Sequence, residues 1–295
     1  MKFGHVATEE LDQLDLSLPQ DHPDTAEILK SGSPDPCEVI TGCAKWGIPA
    51  WVESVYPEGT KQKEFLARYH EIFGGVELNN TFYRLSRSAI ADWAETVKAS
   101  GFRFSPKWSR RVSHIKRLKQ DCLENIEYFM TSCEGFGEHL GATFLQMPEN
   151  FAPKYAERLD WFRQQIPDGF PVQVELRHQD WVSGEAFDST FQSLRKNGLG
   201  AVIMDTAGRR DLLHMRLTTD TAFVRFVGYD LHQSDYDRLD AWVERIVAWS
   251  DAGLKSIYFY CHQDDESLTP KLCAAFLEKL NATGKWNLPI PEVGN

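Results

Sequence analysis

From residue 38 onward, short β-rich runs alternate with stretches in which apolar residues recur at helical spacing. The runs are Glu38–Thr41, Val76–Asn80, Phe102–Lys107, Ala142–Met147, Val172–Arg177, Ala201–Asp205, Phe223–Gly228 and Ser256–His262. Each is short enough to be a strand of a buried parallel sheet. Between them, Phe65, Leu66, Tyr69, Ile72 and Phe73 form one apolar stripe and Ile90, Trp93 and Val97 another. Leu239, Trp242, Val243, Ile246 and Val247 form a third, and Leu268, Leu272, Phe276 and Leu280 a fourth. Their spacing near 3.6 predicts helices with one buried face. Gly74, Gly198 and Gly253 stand where such helices should stop. Eight successive strand–helix units predict an α/β fold, a single (β/α)8 TIM-type barrel. A doubly wound sheet is the alternative, but no G-x-G-x-x-G turn follows the first strand. The weakest unit is Ala207–Thr221, which reads as a loop with one helical turn.

The pattern divides the chain into an irregular, non-globular arm (1–36), a barrel domain (37–285) and a tail (286–295). The arm holds Pro19, Pro23, Pro34 and Pro36 among many acids. It has too few apolar residues for its own core, although Leu11, Leu14, Leu16 and Leu18 could pack on the barrel. The whole chain is 42% hydrophobic and 25% charged over 295 residues, enough for a large core. No run of 18 apolar residues occurs, and the first residues lack the apolar stretch of a signal peptide. A cytoplasmic protein with no membrane association is the expectation. The six cysteines include no C-x-x-C pair and read as reduced thiols. The net charge of −11 disfavours non-specific nucleic-acid binding over the whole surface.

Strand alternation then exposes an anomaly. In the fifth run Val172, Val174 and Leu176 share one side, and Gln173, Glu175 and Arg177 the other. The outer side of a barrel strand packs on helices, so the polar set should face the lumen. The same logic sends Glu77, Asn79, Lys107, Gln146, Asp205, Arg225 and His262 inward. Buried charges without partners cost several kcal/mol each, so this clustering needs a reason. One is a network of ion pairs that fills the lumen structurally. The other is a ligand site, since barrel enzymes place theirs at the C-terminal ends of the strands.

The loops add Thr81-Phe82-Tyr83-Arg84 after the second run, and His178 and Trp181 after the fifth. Aromatics beside charges suit a stacked ring or sugar and an anion held by arginine. The segment from Lys107 to Lys119 carries six cations and no acid. It reads either as a phosphate or nucleic-acid site or as a solvated helix start. Thr206-Ala207-Gly208-Arg209-Arg210 could hold an anion on backbone amides or cap a turn.

Taken together, Gly42-Cys43-x-x-Trp46, Tyr56-Pro57, Val76-Glu77-x-Asn79-x-Thr81-Phe82-Tyr83-Arg84, Phe104-x-x-Lys107, Ser113-His114, Phe144-Leu145-Gln146-x-Pro148, Glu175-x-Arg177-His178-x-x-Trp181 and Asp205 resemble the YecE-like family, "domain of unknown function 72". The resemblance runs from about residue 38 to about residue 280. It implies a TIM-type barrel with these motifs at one end, and no particular activity. The chain departs from the commoner pattern at Cys43-Ala44-Lys45, where many members have Thr-Ser-Gly, and at Cys261-His262-Gln263-Asp264, where many carry asparagines.

Three chemistries follow from the residue types. The first is a hydrolase or lyase acting on a phosphate-bearing or sugar-like substrate. Glu175 or Glu77 would be its general acid or base, with a pKa raised by the neighbouring carboxylates. Lys107, Arg177 and Arg225 would neutralise an anion, His178 and His114 would move protons, and Asn79 and Gln146 would orient the substrate. Tyr83, Arg84, Trp181 and His262 complete the predicted binding set. The second is a phosphodiesterase using a divalent metal on Glu77, Glu175, His178, Asp205 and His262. The third is a binder without chemistry, holding a small anionic ligand or a nucleic-acid end on Lys107–Lys119.

Overall fold

The computed structural model describes residues 4–30 and 35–294; Pro34 of the predicted arm and Asn295 of the tail lie outside them. All eight expected strands form: β1 (Glu38–Gly42), β2 (Gly75–Leu78), β3 (Arg103–Pro106), β4 (Thr143–Gln146), β5 (Val172–Glu175), β6 (Gly200–Asp205), β7 (Thr221–Val227) and β8 (Ser256–His262). Every ladder is parallel. Six strands form one sheet in the order β1-β8-β7-β6-β5-β4, and β2 pairs with β3. Among the described residues the regular ladders stop between β1 and β2 and between β3 and β4. Individual bonds cross both gaps. The Glu77 amide donates to the Cys43 carbonyl at 3.1 Å, the Gly141 amide to Phe104 at 2.7 Å, and the Trp108 amide to Phe144 at 3.0 Å. The architecture is therefore α/β, built on a parallel sheet.

Small residues let β1 and β2 approach. A Cβ on Gly42 would lie 1.9 Å from the Gly75 carbonyl oxygen, so any side chain there would push the strands apart. The Tyr69 hydroxyl spans the seam, accepting from the Cys43 amide at 2.7 Å and donating to the Gly75 carbonyl at 3.1 Å. Three of the predicted stripes lie along helices Arg87–Val97, Gln233–Ala252 and Thr269–Ala282; the first is helical only over Phe65–Tyr69, so Ile72 and Phe73 fall beyond it. Gly253 ends the helix Gln233–Ala252 at φ 109°, the left-handed conformation of a helix C-terminus.

Two cores result from strand alternation. Ile257, Phe259, Val224 and Phe226 face the helices and join the large outer core. Ile40, Ala142, Phe144, Val202, Phe223, Tyr258 and Tyr260 point the other way and form a separate inner cluster. Ala207–Leu212 is a short 3-10 segment, as the weak sixth unit suggested.

The arm is not the irregular, non-globular segment expected. Its described part forms helices Thr8–Leu11 and Pro23–Leu29, and Leu11, Thr25 and Leu29 are buried. It is tied down by polar bonds from the body. The Gly208 amide donates to Gly4, the Tyr229 hydroxyl to Val6, the Trp249 indole to Asp21, and Arg210 to the carbonyls of Leu16 and Ser17. A polar segment without a core of its own is thus ordered by bonds to residues about 200 positions away. The tail is likewise part of the body: Trp286 donates to the Cys37 carbonyl at 2.9 Å and the Gly294 amide to Ser54 at 2.8 Å. Among the described residues no helix is long and apolar enough to cross a membrane.

Candidate functional site

The inner face changes character two residues beyond a layer that carries no charge. Glu77 follows Gly75, Lys107 follows Ser105, Gln146 follows Phe144, Glu175 follows Gln173, Arg225 follows Phe223 and His262 follows Tyr260. Period-two alternation therefore stacks a polar tier on a layer in which Phe144, Phe223 and Tyr260 are joined by Gly75, Ser105 and Gln173.

Arg225 is its centre. Nε and Nη2 donate to the two oxygens of Glu77 at 2.7 and 2.8 Å, and Nη1 donates to Glu175 Oε2 at 2.8 Å. The remaining acceptor positions are also filled. Asn79 Nδ2 donates to Glu77 Oε1 at 2.9 Å, and His262 Nε2 lies 3.0 Å from Glu77 Oε2. Gln146 Nε2 reaches both oxygens of Glu175 at 2.9 and 3.0 Å, and Arg177 Nε reaches Oε1 at 2.5 Å. Glu77, Glu175 and Arg225 are each at most 1% exposed.

This arrangement overturns the expected raised carboxyl pKa. Burial pushes Glu77 and Glu175 up, but the opposing charges outweigh it. Arg225 and His262 hold Glu77 well below the usual carboxylate range. Arg177 and Arg225, with the Gln146 bond, bring Glu175 down to about 2. Both are ionised at neutral pH and poorly suited to donate protons. Burial disfavours the Arg225 cation, yet Glu175 and Glu77 raise its pKa above the ordinary arginine value.

Lys107 differs. Its backbone is fixed, with its amide donating to Leu78 at 3.2 Å and its carbonyl accepting from Thr81 Oγ1 at 2.7 Å. Its amine lies over the rings of Phe82 at 4.7 Å and Phe144 at 5.5 Å. Burial, followed by the charge of Arg225, brings it down to about 8. His114 is brought down to about 4 by burial and by the charges of Lys107 and Arg177, so it is neutral at pH 7.

These groups floor and wall a cleft of about 730 Å³. Lys107, Arg110, His114, Gln146, Arg177 and His262 line it, and Asn79 and Tyr83 contribute at the edge. Tyr83 is 79% exposed. Arg110 belongs to the basic segment Lys107–Lys119, which the sequence offers only as a whole and not as a single cleft residue. Its signal was available: it precedes His114 by four residues, so one turn of helix-like chain brings both to the cleft.

Other expectations need correction. Asp205 is buried but faces outward, sharing its side of β6 with Ala201 and Ile203. It pairs there with Arg238 and Arg210 and accepts from the Trp242 indole at 2.6 Å. Trp181 is fully buried, stacked on Phe151 at 5.8 Å and donating to its carbonyl at 2.5 Å, and does not line the cleft. His178 starts the Gln179–Trp181 turn by accepting from the Asp180 amide at 3.2 Å. Neither it nor the exposed Arg84 lines the cleft.

The five proposed metal ligands therefore do not converge. Among the described residues no group of three or more His, Cys, Asp or Glu side chains is arranged to hold a metal ion. The turn after β6 is committed to the arm, with the Gly208 amide on Gly4 and Arg210 on Asp205. The basic segment does not present one charged face either. Lys107 points into the site, Lys116 pairs with Asp121, and Arg117 donates to the His114 carbonyl at 3.2 Å.

Comparison with known proteins agrees with the resemblance read from the motifs. The UPF0759 protein YecE of Escherichia coli K12 is 27% identical over 276 residues, spanning 87% of this chain and 95% of that protein. A DUF72 family protein of Thermotoga maritima has a solved structure that is 25% identical, with a TM-score of 0.66 over 84% of this chain and all of its own (100%). A DUF72 family structure from Enterococcus faecalis aligns with a TM-score of 0.69 over 87% of this chain at 16% identity, a likeness of fold. The family model described as protein of unknown function DUF72 matches residues 40–293, and the chain belongs to that family.

Proposed function

We propose that the cleft binds a small anionic ligand, a phosphate- or carboxylate-bearing molecule of sugar size, and acts on it as a hydrolase or lyase. One observation carries this reading. In the buried tier three cations, Lys107, Arg177 and Arg225, meet two carboxylates, Glu77 and Glu175. Desolvated positive charge in excess of its counter-charge favours an anion in the adjoining space. Arg110 adds a further cation at the wall. Of the acids at the rim, Glu266 pairs with Lys45 and Asp264 meets His5.

The division of labour differs from that suggested by residue type. Glu77 and Glu175 hold Arg225 and Arg177 in place. Gln146, Asn79 and His262, fixed by those carboxylates, offer hydrogen bonds to a ligand. His114, neutral at pH 7, offers a further hydrogen bond, although a pKa of about 4 makes it a weak base. We also infer that the strands act as one closed (β/α)8 ring, which the single bonds across the β1–β2 and β3–β4 seams support. Such a ring accounts for side chains of β2, β3, β5 and β7 meeting at one point.

Titration calorimetry with 3-phosphoglycerate as probe tests the binding step, and assays on phosphomonoester, phosphodiester and glycoside reporters test the reaction. Binding that weakens at least tenfold in Lys107→Met supports the reading. Equal affinity in that variant, or none in the wild type for any small phosphate or carboxylate, defeats it. A nucleic-acid end is the rival occupant, favoured by exposed Tyr83 and Ile115 beside Arg110 and Arg111.

A further inference from the structure

The Lys107 amine is the one cation of the buried tier that the network does not use. Arg225 is spent on Glu77 and Glu175, and Arg177 donates to Glu175. Among the described residues no carboxylate lies within ion-pair distance of Lys107 Nζ, and no side-chain or backbone oxygen accepts from it. The side chain is only 9% exposed, and that exposure opens into the cleft. Its neighbours on two sides are the faces of Phe82 and Phe144. An amine that served only as a fixed positive charge would be expected to have a carboxylate at hand. This one is clamped by backbone bonds to β2 and Thr81, set between aromatic rings, and aimed into open volume.

We infer that Lys107 is a nucleophile that forms an imine with the carbonyl group of an anionic ligand. The inference rests on the anion-binding reading and assigns the class of ligand: an aldehyde or ketone that also carries a phosphate or carboxylate. Lys107 Nζ would attack the carbonyl carbon with its lone pair, forming a C–N bond while the carbonyl π electrons move to oxygen. The two protons lost from nitrogen and the former carbonyl oxygen leave as water, giving C=N. His114 lines the same cleft and can hydrogen-bond the departing oxygen. Arg110 and Arg177 would seat the anionic end, leaving the amine for the carbonyl.

The desolvated setting also supplies free base. With a pKa of about 8, roughly a quarter of Lys107 is neutral at pH 7.5, against about one part in a thousand for an ordinary lysine. Desolvation of this kind is how lysine amines become nucleophiles near neutral pH.

The test is trapping with cyanoborohydride, which adds hydride to the imine carbon and leaves a stable secondary amine. The full chain is treated at pH 7.5 with glycolaldehyde phosphate, pyruvate or formaldehyde, and each lysine is quantified by peptide mass spectrometry. The comparison is internal to the wild-type protein, so it does not depend on a variant folding. The expected result is modification of Lys107 by an anionic probe at least tenfold faster than any exposed lysine, with inorganic phosphate suppressing it. Preferential reaction with formaldehyde alone would keep the nucleophile and remove the anion-binding reading. Phosphate binding in calorimetry with no preferential trapping at Lys107 by any probe would leave that reading intact and overturn the imine. Equal reactivity of Lys107 and surface lysines, with no binding, would overturn both.

Discussion

Arg225 and Glu77 form a bidentate pair that is closed to solvent, with Nε 2.7 Å from Oε2 and Nη2 2.8 Å from Oε1. The pair joins β7 to β2, strands that do not share a ladder. It holds Glu77 ionised, and the same guanidinium joins Arg177 in holding Glu175 so.

Removing Arg225 should therefore be costly. Arg225→Met leaves Glu77 and Glu175 buried with one counter-charge fewer, and such a change is expected to destabilise the fold by about 3–5 kcal/mol. Urea denaturation measures it. Adding Glu77→Gln to that variant should recover part of the loss, because an uncharged amide needs no guanidinium; additive losses would mean the two residues are not coupled.

Acid sensitivity follows from the same pairs. Glu77 and Glu175 have lower pKa values folded than unfolded. The stability they supply is fully present above the unfolded value near 4.5 and is lost as pH falls through the folded value, which for Glu175 is about 2. The Glu175 contribution is of order 3 kcal/mol at neutral pH. Glu175→Gln should flatten the melting temperature profile between pH 4.5 and about 2. An unchanged acid limb in that variant would show that Glu175 does not carry this dependence.

Trp181 should govern stability and leave ligand binding unaffected. Its ring is buried against Phe151 and away from the cleft. Trp181→Ala is expected to cost about 3–5 kcal/mol. The milder Trp181→Phe should keep the wild-type affinity for 3-phosphoglycerate. Weakened binding in a folded Trp181→Phe protein would restore the stacking role that its sequence position suggested.

Much of this was legible in the chain itself, because strand alternation is a local property. The eight strands followed from short apolar runs, and Glu77, Lys107, Gln146, Glu175, Arg225 and His262 followed from counting in twos. Asp205 is the exception, a polar residue whose chemistry suggests the lumen and whose register does not. Counting back through Ile203 and Ala201 puts it on the helix-facing side, where Arg238 and Trp242 supply the partners that make a carboxylate tolerable there. Trp181 and the arm were misread for another reason. Their burial depends on Phe151, Arg210, Tyr229 and Trp249, which are distant in sequence and carry no local periodic signal. The lowered carboxyl pKa values were likewise invisible, since they depend on which acid meets which arginine.

Arg110 and Arg111 separate the two candidate occupants. Arg110 lines the cleft, whereas Arg111 lines only the neighbouring groove with Tyr83 and Tyr128. For a small anion, Arg110→Ala should weaken binding about tenfold, the value of one charged contact, and Arg111→Ala should have little effect. For a nucleic-acid end, both should weaken the binding of a single-stranded oligonucleotide and reduce its salt dependence. Calorimetry and fluorescence anisotropy across a salt series make the comparison.

The most direct measurement is an anomalous difference map from a crystal soaked in arsenate, a phosphate mimic with a locatable heavy atom. An arsenic peak is expected in the cleft, with an arsenate oxygen about 3 Å from Lys107 Nζ and another within reach of Arg110 or Arg177. Arsenate bound elsewhere on the molecule with the space above Lys107 left to water would contradict that expectation.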